Sequence, residues 1–233
     1  MADQKEQKKI AEFEEREITS DLDTLRHSAA HIMAHAVKRL YPNAKFGIGP
    51  TIEDGFYYDI DLDVTLTPDD LPKIEDEMRK ITAEDAPFER VEMTAKEATE
   101  LFAKMGQNFK LEIIRDIGGD KWSAYKEGDF IDLCRGPHVK NAGWLKNFKL
   151  LSIAGAYWRG DQKNKQLTRI YATAFKTDKH LKHYFFMIED PKKRDHRKLG
   201  KEIEIFIFDE EVGPGLPLWR PNGGILFEEL EGL

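Results

Sequence analysis

The stretch FKLLSIAGAYWRGDQKNKQLTRIYATAF, residues 148–175, decides the fold class, because it holds two long β-rich runs with no helix between them. A turn-rich link joins the runs, which is typical of consecutive strands. Two more β-rich runs, SAYKEG and FIDLCRG, precede them. This succession favours antiparallel pairing and excludes a doubly wound parallel fold.

Helices and short strands alternate further upstream. Ser20 and Asp23 resemble a capping box, and Pro42 ends the helix that follows. Its apolar stripe has helical spacing and comprises Leu25, Ala29, Ile32, Ala36 and Leu40. The run 45–63 predicts a hairpin around EDG.

Two capped helices and two strands complete the prediction for this region. Helices are expected to begin at Thr67 and, with a Thr94/Glu97 capping box, at Thr94. FERVEM (88–93) and NFKLEIIRD (108–116) predict strands. We therefore expect an α+β fold: a largely antiparallel β-sheet packed with helices, followed by a helical linker in which Pro191 kinks or splits the helix.

Composition places the chain among globular proteins. Of its 233 residues, 40% are hydrophobic and 34% are charged. No apolar run reaches 18 residues, and the charged N-terminus lacks the apolar core of a signal peptide, so we expect no membrane contact. One cysteine cannot form an internal disulfide, which fits a cytoplasmic protein.

Net charge is -7, but the charge is unevenly distributed. Residues 191–201 carry six Lys or Arg against one Asp, whereas residues 202–233 carry eight acids against one Arg. The basic segment fits either a phosphate contact or a solvated helix face.

Histidine and cysteine spacing points to a possible site. His27 and His31 lie four residues apart on a predicted helix, so their imidazoles share one face, but His31 and His35 satisfy the same spacing. Cys134 and His138 lie in the turn CRGPH. Two helical histidines with this pair match a zinc shell, a catalytic Cys–His pair, or buried structural side chains.

Two further polar residues accompany this set. Asp132 alternates with Cys134 along a predicted strand, so both face the same side. Lys110 falls in the predicted strand 108–116, where a lysine is usually an exposed edge residue.

Six strings in order resemble bacterial-type threonyl-tRNA synthetase: RHSAAHIMAHAVKRLYP, GIGPTIEDGFYYDID, DFIDLCRGPHV, AGAYWRGD, RIYATAF and KRDHRKLGKEIEIF. The similarity runs from that family's second N-terminal domain, its editing domain, to the edge of its catalytic core. The ubiquitin-like first domain and the aminoacylation core, with its ATP and zinc sites, have no counterpart. The resemblance implies a charged tail (1–20), an editing domain (21–178), a linker helix (179–208) and the truncated start of a class II core (209–233).

The function implied is proofreading, that is, hydrolysis of mischarged seryl-tRNA(Thr), without aminoacylation by this fragment. By the same resemblance six residues form the catalytic pocket: His27, His31, Lys110, Asp132, Cys134 and His138. Tyr58 and Asp132 are expected to bind substrate, Tyr58 at the terminal adenosine and Asp132 at the serine amino group. A tRNA contact is expected along the basic segment, at Lys192, Lys193, Arg194, Arg197 and Lys198.

The resemblance also implies cofactors and partners. Editing in the threonyl family is described as needing no metal, whereas alanyl relatives use the same pattern for zinc, so zinc at His27, His31, Cys134 and His138 stays open. The expected partners are the 3′ end of tRNA(Thr) and its serine moiety, for a monomeric fragment of a homodimeric parent. A freestanding alanyl-type editor and a catalytically idle tRNA-binding module are the alternatives.

Overall fold

The computed structural model describes residues 20–232, apart from the side chain of Lys192. The expected charged tail at 1–20 lies, except for Ser20, outside the described residues. The chain divides into two units between Leu181 and Lys182. The α+β class with antiparallel sheets is confirmed.

The larger sheet of the first unit has five strands. Its strands are β1 (Lys45–Phe46), β2 (Thr51–Ile52), β3 (Gly55–Asp61), β7 (Asn147–Tyr157) and β8 (Gln166–Phe175). They run in the order β1-β3-β8-β7, with β2 also pairing with β3, and every pairing is antiparallel. The expected hairpin is therefore the β2–β3 pair, with Thr51 opposite Phe56.

Helix α1 (Asp21–Leu40) is the central element of this unit. It begins at Ser20, whose side chain caps the Asp23 amide as predicted. Every residue from Leu25 to Val37 is buried, because α1 packs against α2 (Leu71–Glu84), β3 and β8. Between Leu25 and Val37 the polar face of α1 is thus covered as well as its apolar stripe, which is the condition for a buried site. Leu40, the last residue of the predicted stripe, is exposed.

A second layer is built from three strands and two helices. The strands β4 (Phe88–Thr94), β5 (Lys121–Glu127) and β6 (Phe130–Leu133) form an antiparallel sheet in that order. The predicted Thr94/Glu97 capping box begins α3, Ala95–Lys104.

The strand predicted at 108–116 is wrong, because these residues form helix α4, Asn108–Ile117. Its buried apolar residues, Phe109, Ile113 and Ile114, recur at helical spacing and pack into two neighbouring clusters. Burial of this face outweighs the β propensity of the two isoleucines.

The remaining helices begin at Asp178. Where one linker helix was predicted across 179–208, the structure has α5 (Asp178–Lys193), α6 (His196–Glu202) and then strand β9 (Phe206–Phe208). The predicted split is present, but it falls at 194–195: Pro191 lies inside α5, which continues two residues past it. In the second unit β9 pairs with β10 (Pro217–Trp219), and α7 (Pro221–Glu231) follows. Among the described residues, no helix has the length and apolarity to cross a membrane.

Candidate functional site

The four predicted His and Cys residues lie together in the first unit. His27 and His31 are one turn apart on α1, and both are buried. Cys134 follows the last residue of β6, where its amide still bonds to the Ser123 carbonyl of β5 at 3.2 Å. The sulfur lies 3.1 Å from His27 Nε2 and 3.3 Å from His138 Nε2.

The turn after β6 brings His138 back over Cys134. Gly136 has a φ of +75°, and its amide donates to the Cys134 sulfur at 3.1 Å. A Cβ at this glycine would collide with the Tyr125 hydroxyl. Glycine therefore allows both the left-handed backbone and the close approach that the turn needs.

The imidazole of His138 is fixed by aromatic neighbours. The Phe88 ring stacks on it at 4.9 Å with a 4° angle between planes, and the Tyr125 ring lies at 4.4 Å. His27 and His31 both lie with ring centroids 4.4 Å from His138. The three imidazoles and the thiol therefore form one compact cluster.

Its donor set fits a metal ion. Each of His27, His31, Cys134 and His138 offers one ligand atom, and these atoms lie within 4.8 Å of one another. Imidazole nitrogens with one cysteine sulfur are the donors that zinc prefers. The predicted ligand set is thus brought together, and His35 is not part of it.

Burial controls the charge of the three histidines. It lowers the pKa of His27 to about 4, with the Lys110 charge adding to the effect. Burial also lowers the pKa of His31 and of His138 well below the ordinary value of 6.5. All three imidazoles are therefore neutral at pH 7.

A buried ion pair lies next to this cluster. Lys110 Nζ is 2.8 Å from Asp132 Oδ1 and donates to Tyr58 Oη at 3.1 Å, while the Tyr58 hydroxyl donates to Asp132 Oδ2. Lys110 is 3% exposed, which rules out an edge-strand lysine. Asp132 and Cys134 are both buried while Leu133 between them is less so, which confirms that they share a face. The positive charge of Lys110 contributes to the lowered pKa of His27 and of His31, so we treat the ion pair and the cluster as one site.

Tyr58, which hydrogen-bonds to both members of this ion pair, is buried and is only 1% exposed. Its expected contact with the terminal adenosine stays a prediction.

His35 belongs to a separate network one turn further along α1. Its Nδ1 lies 2.6 Å from Glu127 Oε2 and its Nε2 lies 2.7 Å from Asp129 Oδ1. Glu127 is buried, and its Oε1 has no hydrogen-bond partner among the described residues. These contacts join α1 to the β5–β6 hairpin, the two elements that carry the cluster.

Sequence reasoning missed the residues that hold His138. Ser28 Oγ lies 3.0 Å from His138 Nδ1, and Phe88 and Tyr125 flank the ring. A serine within a helix commonly bonds back to its own i−4 carbonyl, as Ser28 does to Thr24 at 2.8 Å. The position of Ser28 in the sequence gives no sign that this serine also contacts His138.

The basic segment belongs to the second unit, whereas the site residues belong to the first. Arg194 pairs with Asp190 at 2.9 Å, Arg197 with Asp195 at 2.8 Å, and Lys198 with Glu202 at 3.9 Å. The Arg194, Arg197 and Lys198 side chains are largely exposed despite these pairs. Lys193 is also exposed, and the side chain of Lys192 lies outside the described part of the chain.

The sequence of this chain is similar to those of known proteins. Residues 122–171, which include β6 and the turn with Cys134 and His138, match the family described as "Threonyl and Alanyl tRNA synthetase second additional domain". A threonine–tRNA ligase from Citrifermentans bemidjiense is 54% identical over 210 residues, covering 90% of this chain and 33% of the relative. One from Geobacillus kaustophilus is 56% identical over 211 residues, covering 90% of this chain and 32% of the relative.

A threonine–tRNA ligase from Nitratidesulfovibrio vulgaris is 53% identical over 210 residues, again covering 90% of this chain and 33% of the relative. The chain spans about a third of the length of these relatives. The chain is thus similar to about a third of each of these threonine–tRNA ligases, and within it residues 122–171 match the second additional domain of threonyl and alanyl tRNA synthetases.

Proposed function

We propose that this chain is the proofreading portion of a threonine–tRNA ligase, and that it hydrolyses the ester joining serine to the terminal ribose of mischarged seryl-tRNA(Thr). One observation carries the proposal. Three neutral imidazoles and a thiol lie beside a buried Lys110–Asp132 ion pair, and three members of this site, Asp132, Cys134 and His138, fall within the residues that match the second additional domain.

The need for a second site follows from the size of the amino acids. A site that accepts threonine cannot exclude serine, which is smaller by one methyl group. A methyl group is worth only ~1–3 kcal/mol of discrimination. A separate pocket that admits serine and excludes threonine removes the error by hydrolysis.

His27 is proposed to hold the attacking water. Its lowered pKa, about 4, leaves the imidazole neutral and able to accept a hydrogen bond from water at pH 7. Such an imidazole is a weak base, because general bases work best with a pKa near the working pH. Its main contribution is therefore to place the water, and it takes a proton from the water as the water oxygen attacks the ester carbon. The bond between that carbon and the ribose oxygen then breaks, and the ribose oxygen leaves as a hydroxyl group that carries this proton.

Asp132 is proposed to bind the serine ammonium group. Its Oδ1 accepts from Lys110 and from the Leu133 amide, and its Oδ2 accepts from Tyr58. A carboxylate has about four acceptor positions. One position on Oδ2 therefore remains for a substrate ammonium, which forms a strong charge-assisted bond.

Lys110 is proposed to act on the substrate from the same side. Its ammonium group has three protons, of which Asp132 and Tyr58 take two. The third proton can hold the water or the oxyanion that develops on the ester carbonyl. A fixed positive donor at that oxygen stabilises the transition state.

His31, Cys134 and His138 are proposed to form the wall that sets pocket size. Cys134 is a wall residue in this proposal, and the attacking group is water.

Two substitutions test the proposal. His27→Ala removes the water-holding imidazole, and Asp132→Asn removes the charge that binds the ammonium group. We expect each to lower seryl-tRNA(Thr) deacylation by about 100-fold or more, the usual size of a general acid–base contribution. His180→Ala, an exposed histidine, is the matched control and keeps full activity. Full activity in a folded His27→Ala protein would rule out the proposed mechanism.

Metal dependence is tested in the same assay. A zinc ion held by His27, His31, Cys134 and His138 would supply a Lewis acid and an acidified water. We expect deacylation to continue in the presence of a chelator. Loss of activity that added zinc restores would instead assign the reaction to a zinc enzyme.

The acceptor separates this proposal from an alanyl-type editor. We expect seryl-tRNA(Thr) to be hydrolysed faster than seryl-tRNA(Ala). The reverse order would favour the alanyl-type editor, and tRNA binding without hydrolysis would favour the idle module.

The basic segment is proposed to contact the tRNA backbone. Each phosphate neutralised by a cation changes the slope of log affinity against log salt by about 0.7–0.9. Neutralising Lys193, Arg197 and Lys198 together is therefore expected to lower that slope by about 2. Neutralising the exposed Lys73 and Lys80 of α2 is the control, and an equal slope in both variants would contradict the contact.

A further inference from the structure

The hydroxyl group of Ser28 has three partners, and two of them allow only one role for it. The Thr24 carbonyl oxygen, at 2.8 Å, can only accept. The Val139 amide, at 2.9 Å, can only donate. The third partner, His138 Nδ1 at 3.0 Å, can do either, depending on where the imidazole proton lies.

The hydrogen-bonding capacity of a serine decides the third contact. A hydroxyl has one proton and two lone pairs. The proton goes to Thr24, and one lone pair accepts from Val139. Only a lone pair is left for His138, so His138 must donate to it through Nδ1–H.

We propose that Ser28 is a positioning residue that fixes His138 in its Nδ1–H tautomer and so turns the unprotonated Nε2 toward Cys134 and the pocket. The stacked Phe88 ring holds the plane of the imidazole, and Ser28 selects which nitrogen carries the proton. A histidine nitrogen is commonly assigned in this way, by the hydrogen bond that the other nitrogen makes.

The surroundings of Nε2 agree with this assignment. The Cys134 sulfur lies 3.3 Å from Nε2 and accepts from the Gly136 amide on another side. The sulfur also lies 3.1 Å from His27 Nε2, so its single S–H proton can go to His138 Nε2 when His27 turns a protonated Nε2 toward the sulfur. Cys134 is then a neutral donor in the wall of the site.

The assignment of the His138 tautomer does not depend on the proposed function. The expected effect of Ser28 on catalysis does rest on the proposed function. The two are separated by measuring the tautomer without substrate. The protein with ¹⁵N-labelled imidazoles is studied by NMR in chelator at pH 7, and the His138 signal is identified by its loss in His138→Gln. In the wild-type protein we expect a protonated Nδ1 and an unprotonated Nε2 at His138.

Three variants then test the role of Ser28. Ser28→Ala is expected to shift His138 toward protonated Nε2, and Ser28→Thr, which keeps the hydroxyl, is expected to retain the wild-type tautomer. Ser123→Ala is the matched control, because Ser123 Oγ donates to the Cys134 carbonyl at 2.8 Å without contacting an imidazole. If Ser28→Ala does not fold, Ser28→Cys replaces it, since sulfur is a weak acceptor.

Activity provides the second readout. Loss of a group that orients a site histidine typically lowers activity about 10–100-fold. We expect that fall in seryl-tRNA(Thr) deacylation for Ser28→Ala, with recovery in Ser28→Thr. A protonated Nε2 in the wild-type protein, or an unchanged tautomer in folded Ser28→Ala, would overturn the inference. The expected tautomer shift in Ser28→Ala, together with a wild-type protein that hydrolyses no seryl-tRNA, would overturn the proposed function alone.

Discussion

The lowered pKa values of His27, His31 and His138 make the stability of this protein depend on pH. Burial lowers the pKa of His27 from 6.5 to about 4, so between these values the unfolded chain binds more protons than the folded protein. Stability is therefore highest above pH 6.5 and is lost as pH falls toward 4. For His27 alone the loss is roughly 3 kcal/mol, at about 1.4 kcal/mol for each pKa unit.

Urea unfolding in chelator between pH 7 and pH 4 measures this effect. His27→Gln is expected to show a flatter dependence of the unfolding free energy on pH than the wild-type protein. His180→Gln, at an exposed position, is expected to follow the wild-type curve. A His27→Gln curve parallel to wild type would contradict the assignment of a depressed pKa to His27.

The Lys110–Asp132 ion pair couples two distant parts of the chain. Both side chains are 3% exposed, so Lys110→Met leaves a buried carboxylate without its counter-charge. Such a change typically destabilises a protein by about 3–5 kcal/mol. Adding Asp132→Asn removes the unpaired charge, and we expect a coupling energy of about 0.5–3 kcal/mol in the double-mutant cycle.

The exposed Lys96–Glu100 pair of α3 is the control for this cycle, and no measurable coupling is expected there. Strictly additive effects of Lys110→Met and Asp132→Asn would show that the buried pair does not act as a unit.

At the scale of elements, the turn between β6 and Val139 sets the geometry of the site. Gly136 and Gly106 both have left-handed φ values, +75° and +68°. A Cβ at Gly106 would meet no atom within 4 Å, whereas one at Gly136 would strike Tyr125. Gly136→Ala is therefore expected to displace the ring beside His138, and Gly106→Ala to carry only the backbone penalty of about 1 kcal/mol.

Seryl-tRNA(Thr) deacylation and far-UV circular dichroism distinguish these variants. We expect Gly136→Ala to lose most activity with its helices intact, and Gly106→Ala to stay active. Equal activity in both would mean that the Tyr125 contact does not set the position of His138.

Element types were predictable where local signals agreed, and α4 shows where they conflict. Capping boxes located the starts of α1 and α3, and strand succession predicted the antiparallel pairing of β7 and β8. In α4 the pair Ile113–Ile114 favours a strand locally, but tertiary burial of a helical face prevails. The strand assignment also implied an exposed Lys110, so one local error changed the interpretation of a site residue.

At the scale of the whole molecule, the site joins residues that are more than 100 positions apart in sequence. The Cys134–His27 contact spans 107 residues and the His138–Ser28 contact spans 110. Four-residue spacing predicted each pair separately, and donor chemistry suggested that the two pairs form one set. The resemblance then chose His27 and His31 over the equally spaced His31 and His35. Ser28 and Glu127 carry no motif, because a hydroxyl or carboxylate acquires its role from partners that the fold brings to it.

The central claim is that this site hydrolyses a serine ester and spares a threonine ester. The most direct measurement compares the rates at which the chain deacylates seryl-tRNA(Thr) and threonyl-tRNA(Thr), in chelator and against buffer alone. We expect the seryl ester to be cleaved at least about 100-fold faster than in buffer and at least about 10-fold faster than the threonyl ester. Equal rates for the two esters, or no cleavage above buffer, would contradict the account.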